Sequence, residues 1–245
     1  MSLGIKIIQF DNKTDEVLAE KHTFKDFGLY WLEPYSIGFP EPDEYLVYVP
    51  GAYSPIDLTD ELTGHTGFKS RKVDLSFEVR DQDYYRYEAI KMGLAEYIHG
   101  RKLRIILDTD PNYFYLARLR VEFDKNEKSE SKLILTGEAD PYKYNVLSSM
   151  DEWEWDPFSF VNGVIHFAKD LKIDGRTKVS LLPTRVPVSP NFICSSPMTV
   201  ELDGEKVSLP AGKSQSPYIV LKNQDNELYF EGNGTVTIDY RGGFL

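Results

Sequence analysis

The sequence predicts a mainly β protein in two domains, an α+β first domain of strands with one helix at residues 1–144 and an all-β sandwich at residues 145–245. Three observations predict this. Apolar and polar residues alternate with period two in several segments, which puts successive side chains on opposite faces of a strand. A single stretch carries helical spacing. After Tyr144 that spacing does not return, and short apolar runs alternate with Gly, Pro, Asn and Ser turns, the texture of a sandwich.

Taken in order, Ile5 to Phe10 and Tyr45 to Val49 read as short strands of the first sheet system. Val73, Leu75, Phe77 and Val79 alternate with Lys72, Asp74, Ser76, Glu78 and Arg80, so one face is apolar and the other charged. From Tyr84 to Ile98 the residues Tyr87, Ile90, Leu94 and Ile98 recur at helical spacing; Asp81 or Asp83 caps the start and Gly100 supplies the left-handed stop. Leu103 to Leu107 follows as a strand, and Asp110-Pro111-Asn112 as the reversal. It leads into Tyr115, Ala117, Leu119, Val121 and Phe123, which alternate with Arg118, Arg120 and Glu122. Leu133 to Leu135 completes the sheet, and the domain boundary falls near Tyr144. Beyond it, Val200 to Leu202 and Val207 to Leu209 flank the hairpin turn Asp203-Gly204, and Ile219 to Leu221, Leu228 to Phe230, and Val236, Ile238 and Tyr240 add strands.

Charge and cysteine usage narrow the function. With 28 basic and 39 acidic side chains the formal charge is −11, so a phosphate backbone meets net repulsion and sequence-reading nucleic-acid binding is disfavoured, although a channel of this sign lets DNA pass without sticking. Cys194 is the only cysteine, which rules out an intrachain disulfide or a thiolate metal cluster; in the apolar stretch Phe192 to Cys194 it reads as a buried, inert thiol. The apolar run within Met1 to Phe10 is too short for a signal peptide and no stretch is long enough to span a bilayer, so synthesis and folding in a cytoplasm are expected. The 16 Tyr and 14 Phe suit sheets and subunit interfaces alike.

Several constellations carry residue types suited to chemistry. Gly212-Lys213-Ser214 ends like a phosphate-binding loop, but Val207 stands where that loop needs a glycine, so a surface turn is expected. Asp108-Thr109-Asp110 brings two carboxylates together without a third ligand, and its place before Pro111 favours a turn over a metal site. Asp151, Glu152, Glu154 and Asp156 surround Trp153 and Trp155, a mixture that suits a sugar site; the plainer reading is an acidic interdomain segment with tryptophans tucked into a domain face. His22, His65, His99 and His166 are too scattered for a helical zinc pair, and no Gly-x-Ser-x-Gly elbow is present. No enzyme activity, cofactor or metal is expected.

The strings Lys25-Asp26-Phe27-Gly28-Leu29-Tyr30, Val49-Pro50-Gly51 followed by Ile56-Asp57-Leu58-Thr59, and Ala139-Asp140-Pro141-Tyr142-Lys143-Tyr144 resemble, in order and spacing, the distal tail proteins of siphophages of Gram-positive hosts. The pattern continues through the aromatic segment Asp110 to Tyr115 and ends with Gly234 to Gly242, so it spans nearly the whole chain; Ala52-Tyr53-Ser54 departs from it where a tighter glycine-bearing turn is expected. The resemblance implies a ring-forming first domain and a galectin-like second domain. Six copies would surround a channel at the virion tail tip of a phage or prophage, after synthesis in the bacterial host cytoplasm. It also implies the partners: other copies of the chain, the major tail tube protein, a tail-associated protein or fibre and, on the outward domain, receptor-binding proteins, with no membrane and with DNA passing unbound. For ring contacts, the strands Lys72 to Arg80 and Tyr115 to Phe123 are expected to offer exposed edges, and Tyr84, Tyr85, Tyr113 and Phe114 to supply aromatic surface, unless these four fill the monomer's own core. The competing readings are a carbohydrate-binding module using Trp153 or Trp155, and a glycosidase.

Overall fold

The computed structural model describes residues 2–12, 14–61, 66–80, 84–125, 131–146, 168–181, 184 and 186–245. The chain divides into two compact units, Met1–Lys143 with Leu245, and Tyr144–Phe244. As the alternation predicts, strands dominate both. No helix among the described residues is long and apolar enough to cross a membrane.

In chain order the first unit holds β1 (Ile5–Phe10), β2 (Val17–His22), α1 (Thr23–Phe27), β3 (Leu29–Trp31), β4 (Leu46–Val47), β5 (Ile56–Asp57), β6 (Arg71–Val79), α2 (Tyr84–Ile98), β7 (Lys102–Leu107), β8 (Asp110–Lys125) and β9 (Ser131–Asn145). Its main sheet runs in the order β2-β1-β7-β8-β9-β6-β3. The apolar residues that alternate along β6 are the ones that enter the core, and Leu75 and Phe77 stand opposite Leu135 and Leu133 of β9. Such cross-strand apolar pairs are the unit of sheet stabilisation. Helix α2 has the predicted bounds and buries Tyr87, Leu94, Tyr97 and Ile98 in the same core. Two polar bonds seat it on β1: the Tyr97 hydroxyl donates to the Ile7 carbonyl at 3.0 Å, and Gln9 Nε2 donates to the Tyr97 carbonyl at 2.7 Å. Gly100 adopts φ 72° and gives its N–H to Leu119, ending the helix as its sequence position predicts.

Four local expectations are corrected in this unit. The chain reverses at Asp108 and Thr109, not at Asp110 to Asn112: Leu107 pairs with Asp110, and the register then shifts so that Ile106 faces Phe114. Pro111, without an N–H, falls in the bulge this shift creates. The run Tyr45 to Val49 yields only β4, which pairs with β5 in a separate ribbon and not in the main sheet. The strands β6 and β8 do not supply free edges, because β8 lies between β7 and β9, and β6 lies between β9 and β3. Finally, a second helix exists. Helix α1 is too short to show periodicity, and its cap is an unusual residue: His22 Nδ1 accepts from the N–H groups of Phe24 (3.2 Å) and Lys25 (3.3 Å). With Nδ1 accepting, His22 Nε2 carries the proton and donates to Asp108 at 3.1 Å, while Asp108 also accepts from the Gly4 N–H at 2.8 Å.

The second unit contains β10 (Leu171–Leu181), β11 (Asn191–Cys194), β12 (Met198–Leu202), β13 (Glu205–Leu209), β14 (Gly212–Gln215) and β15 (Asn226–Asp239). One side of β15 pairs with β10 from Asn226–Leu181 to Val236–Leu171. Its other side pairs first with β12, through Tyr229 to Glu231, and then with β11, through Val236 to Asp239. Gly232 (φ 150°) and Gly234 (φ 145°) occupy the changeover, where a Cβ on Gly232 would meet Met198 Cβ at 2.8 Å. Glycine at this corner lets one sheet bend around its own core of Phe192, Val200, Leu228, Phe230, Val236 and Ile238. The hairpin β12–β13 turns at Asp203-Gly204 as predicted. Two expectations change. Gly212-Lys213-Ser214 forms strand β14 against β11 in place of a turn, and Ile219 to Leu221 provides only the single bridge Val188–Leu221. There the Asn226 side chain binds Lys222 and Gln224 and folds the chain back before a longer ladder forms.

Two outcomes follow from this packing. A methyl group at Gly137 would lie 2.2 Å from the Arg118 carbonyl oxygen of β8. Gly137→Ala must therefore push the β8 and β9 backbones apart, and denaturant melts should show a loss of about 1–3 kcal/mol; an unchanged midpoint would refute this close approach. Burial pushes the Tyr240 hydroxyl up to about 12 and also raises Tyr97, Tyr115 and Tyr142. The folded state favours the neutral phenol, so this stability is intact below the ordinary tyrosine pKa and is lost as pH climbs through the folded value. Tyr240→Phe should make thermal melts less sensitive to alkali over that window, with the wild type's full alkaline loss in the variant counting against the assignment.

Candidate assembly surface

Between β3 and β6 the chain leaves the sheet and returns. From Leu32 to Gly64 it has no Lys or Arg, and Pro34, Pro40, Pro42, Pro50 and Pro55 fix the backbone φ angle and remove backbone donors. Within this arm β4 and β5 pair through Leu46–Asp57 and Val47–Ile56. A polar latch closes the ribbon: Tyr45 N–H donates to Thr59 Oγ1 (3.0 Å), and the Thr59 N–H (3.0 Å) and hydroxyl (2.5 Å) donate to Asp57 Oδ1. These bonds hold the Asp57 carboxyl below its ordinary pKa.

The base of the arm is fixed by one buried cation. Arg71, at the start of β6, is 2% exposed. Its Nε donates to the Pro141 carbonyl on β9 at 2.6 Å and its Nη1 to the Gly38 carbonyl at 3.0 Å, while the guanidinium carbon lies 5.4 Å from the centre of the Tyr115 ring and 6.0 Å from that of Phe39. Burial lowers the Arg71 pKa from its ordinary value, yet a guanidinium remains charged. Backbone bonds from Asp43 N–H to Gly67 and from Lys69 N–H to Glu41, both 2.9 Å, and the edge-on contact of Phe68 with Tyr142 complete the anchorage.

Beyond this base the arm keeps its apolar groups in solvent. Phe39, Tyr45, Tyr48, Tyr53 and Ile56 are all exposed. An isolated two-stranded ribbon is marginal in water, and a cluster of exposed aromatics marks an interaction surface. The signal in the sequence is a proline-rich, cation-free run with aromatic residues, which alternation and helical spacing do not register.

The other singled-out residues lie elsewhere. Tyr84 opens α2 and Tyr85 follows it, 84% exposed. Tyr113 (8%) and Phe114 (4%) are buried within the first unit, the former beside the Lys143 ammonium at 4.4 Å and the latter beside the Arg104 guanidinium at 5.0 Å. Asp108 is engaged by His22 and Gly4, whereas Asp110 pairs with Lys143 Nζ at 2.6 Å, so the two carboxylates are drawn to different partners. Among the described residues no three His, Cys, Asp or Glu side chains gather as metal ligands. Cys194 is buried, which raises its thiol pKa. Trp153 and Trp155, their acidic neighbours Asp151, Glu152, Glu154 and Asp156, the caps Asp81 and Asp83, and His65 and His166 lie outside the described residues.

No protein-family model matches the chain, and no curated protein matches it. A solved structure does. The crystal structure of the SPP1 Dit (gp 19.1) protein, described as a paradigm of the hub adsorption apparatus in Gram-positive infecting phages, aligns over 98% of this chain and 99% of its own, with a TM-score of 0.56 and 13% identity. The chain thus shares the fold of that protein across both units, and the resemblance drawn from the sequence is borne out at the level of fold.

Arg71→Met retains the aliphatic stem but strips the Gly38 and Pro141 carbonyls of their donor. Equilibrium unfolding should register a loss of about 2–4 kcal/mol, with Arg71→Lys recovering only a fraction of it because an ammonium lacks the planar fork. A Met variant as stable as the wild type would show that the arm base does not depend on this cation.

Proposed function

We propose that the chain is a structural distal tail protein of a siphophage or prophage, a hub subunit that forms a hexameric ring joining the tail tube to the tail-tip and host-adhesion apparatus. The observation that carries this reading is the end-to-end likeness to the SPP1 hub protein, which spans both units. The exposed arm supports it, because a closed ring needs two different, complementary patches on every subunit. In this reading the first unit carries the ring contacts and Tyr85 remains an interface candidate; the second unit is a galectin-like sandwich facing outward. The partners are other copies of the chain, the major tail tube protein, a tail-associated protein or fibre, and receptor-binding protein. The role is architectural, at the virion tail tip, and the chain's net charge of −11 suits a channel through which DNA slides.

The carbohydrate-binding alternative depends on Trp153 and Trp155, and no observation of the described residues favours it. Analytical ultracentrifugation over a range of concentrations, with electron microscopy of the full chain, should reveal a six-subunit ring. A protein that stays monomeric at the highest concentration, or closes with another symmetry, would overturn the proposal; the concentration series matters because weak rings dissociate on dilution.

A further inference from the structure

The polar face of the first unit's sheet contains a groove of about 580 Å3 where β6, β7, β8 and β9 run side by side. Lys72, Lys102, Arg118 and Arg120 line it together with Glu138 and Asp140. In a chain with 28 basic and 39 acidic side chains, four cations against two carboxylates reverse the local balance. The groove's internal bonds leave most of that positive charge unspent: the Ser70 hydroxyl donates to Glu138 at 3.0 Å, and Arg118 donates to the Gly100 carbonyl. Among the described residues no ion pair engages Lys72, Lys102 or Arg120. Gly137 adds no side chain to the lining, and β8 backbone lies close against it.

The arm carries the opposite charge. Glu41, Asp43, Glu44, Asp57, Asp60 and Glu61 lie on it without a compensating Lys or Arg anywhere from Leu32 to Gly64. Asp57 and Asp60 are bonded to Thr59 and Thr66, but no cation of the same chain pairs with Glu41, Asp43, Glu44 or Glu61 among the described residues. The exposed rings of Tyr45, Tyr48 and Tyr53 add faces on which a guanidinium can stack.

We infer that the groove receives the acidic, aromatic arm of a second copy of this chain. Arm and groove are different patches of one subunit, so their pairing is head to tail and can close into a ring. Opposite charge selects the partner and the register, and the aromatic rings supply the area that leaves water. The inference rests on the hub reading, and deepens it by naming the two surfaces that meet.

Charge reversal in the full-length protein tests it. Lys72→Glu with Arg120→Glu turns the groove acidic, and Glu41→Lys, Asp43→Lys, Glu44→Lys and Glu61→Lys together turn the arm basic, since four lysines then outnumber the remaining Glu33, Asp57 and Asp60. Each variant should weaken self-association by roughly tenfold or more, and added salt should weaken wild-type assembly in the same direction. An equimolar mixture of the two variants should assemble again, with the chains alternating, because each arm then meets a groove of opposite charge. Rescue on mixing also excludes misfolding as the cause of the loss. If the wild type assembles and the reversed variants assemble equally well, or if the mixture stays dissociated, the arm-to-groove contact is wrong while the hub reading stands. If the wild type never assembles, the hub reading itself fails. If a single-stranded DNA oligonucleotide binds the wild type and is lost in the Lys72→Glu, Arg120→Glu variant with assembly unchanged, the groove is a polyanion site and the inference is overturned.

Discussion

A guanidinium removed from water on the first strand of a core ladder is the constraint around which the first unit is arranged. Stripping a cation of its hydration costs several kcal/mol unless hydrogen bonds replace the lost water. Arg71 obtains carbonyl oxygens from Gly38 and Pro141 and the faces of Tyr115 and Phe39, with no carboxylate among these partners. Those groups belong to the arm, to β9 and to β8, so binding one cation brings three segments far apart in sequence to a common point, although Nη2 is buried without a hydrogen-bond partner among the described residues. A neutral side chain of the same length would fill the space, but would leave the two carbonyls without their donor.

Anchoring the arm so firmly at its base has a consequence at its tip. The ribbon of β4 and β5 is held away from the core, and its tyrosines remain in water although the chain has a well-filled interior elsewhere. A monomer gains nothing from this arrangement, since exposed aromatic surface favours unwanted association. In the proposed ring the same surface would be the adhesive, and its uniform negative charge would keep it from binding other acidic surfaces on the same chain. The chain's negative net charge is therefore unevenly distributed, with a cation-free arm and a cation-lined groove in one unit.

The second unit solves a different problem with different means. A small all-β unit must cover two faces with few strands, and here β15 serves β10 on one side while changing partner from β12 to β11 on the other. The change requires backbone angles that residues with a Cβ rarely adopt, and Gly232 and Gly234 provide them. The fold it belongs to aligns with that of the SPP1 hub protein along the length of the chain.

Local periodicity alone determined the strands β6 and β8, the helix α2 with its stop at Gly100, and the hairpin at Asp203-Gly204. Each depends on interactions within a few residues or on a face that must be apolar, and such patterns are written directly in the chain. Segments whose conformation is set from outside were not legible: α1 depends on a histidine cap locked by Asp108 across the fold, β14 on an open flank of β11, and the bridge at Leu221 on the Asn226 side chain. The expected edges failed for the same reason, since whether a strand is interior depends on which distant strands flank it. Sequence supplied the charge, prolines and tyrosines of the arm; tertiary structure decided that they stand in solvent and that four cations from three strands gather in one groove, because juxtaposition across a sheet is a property of register and not of sequence spacing.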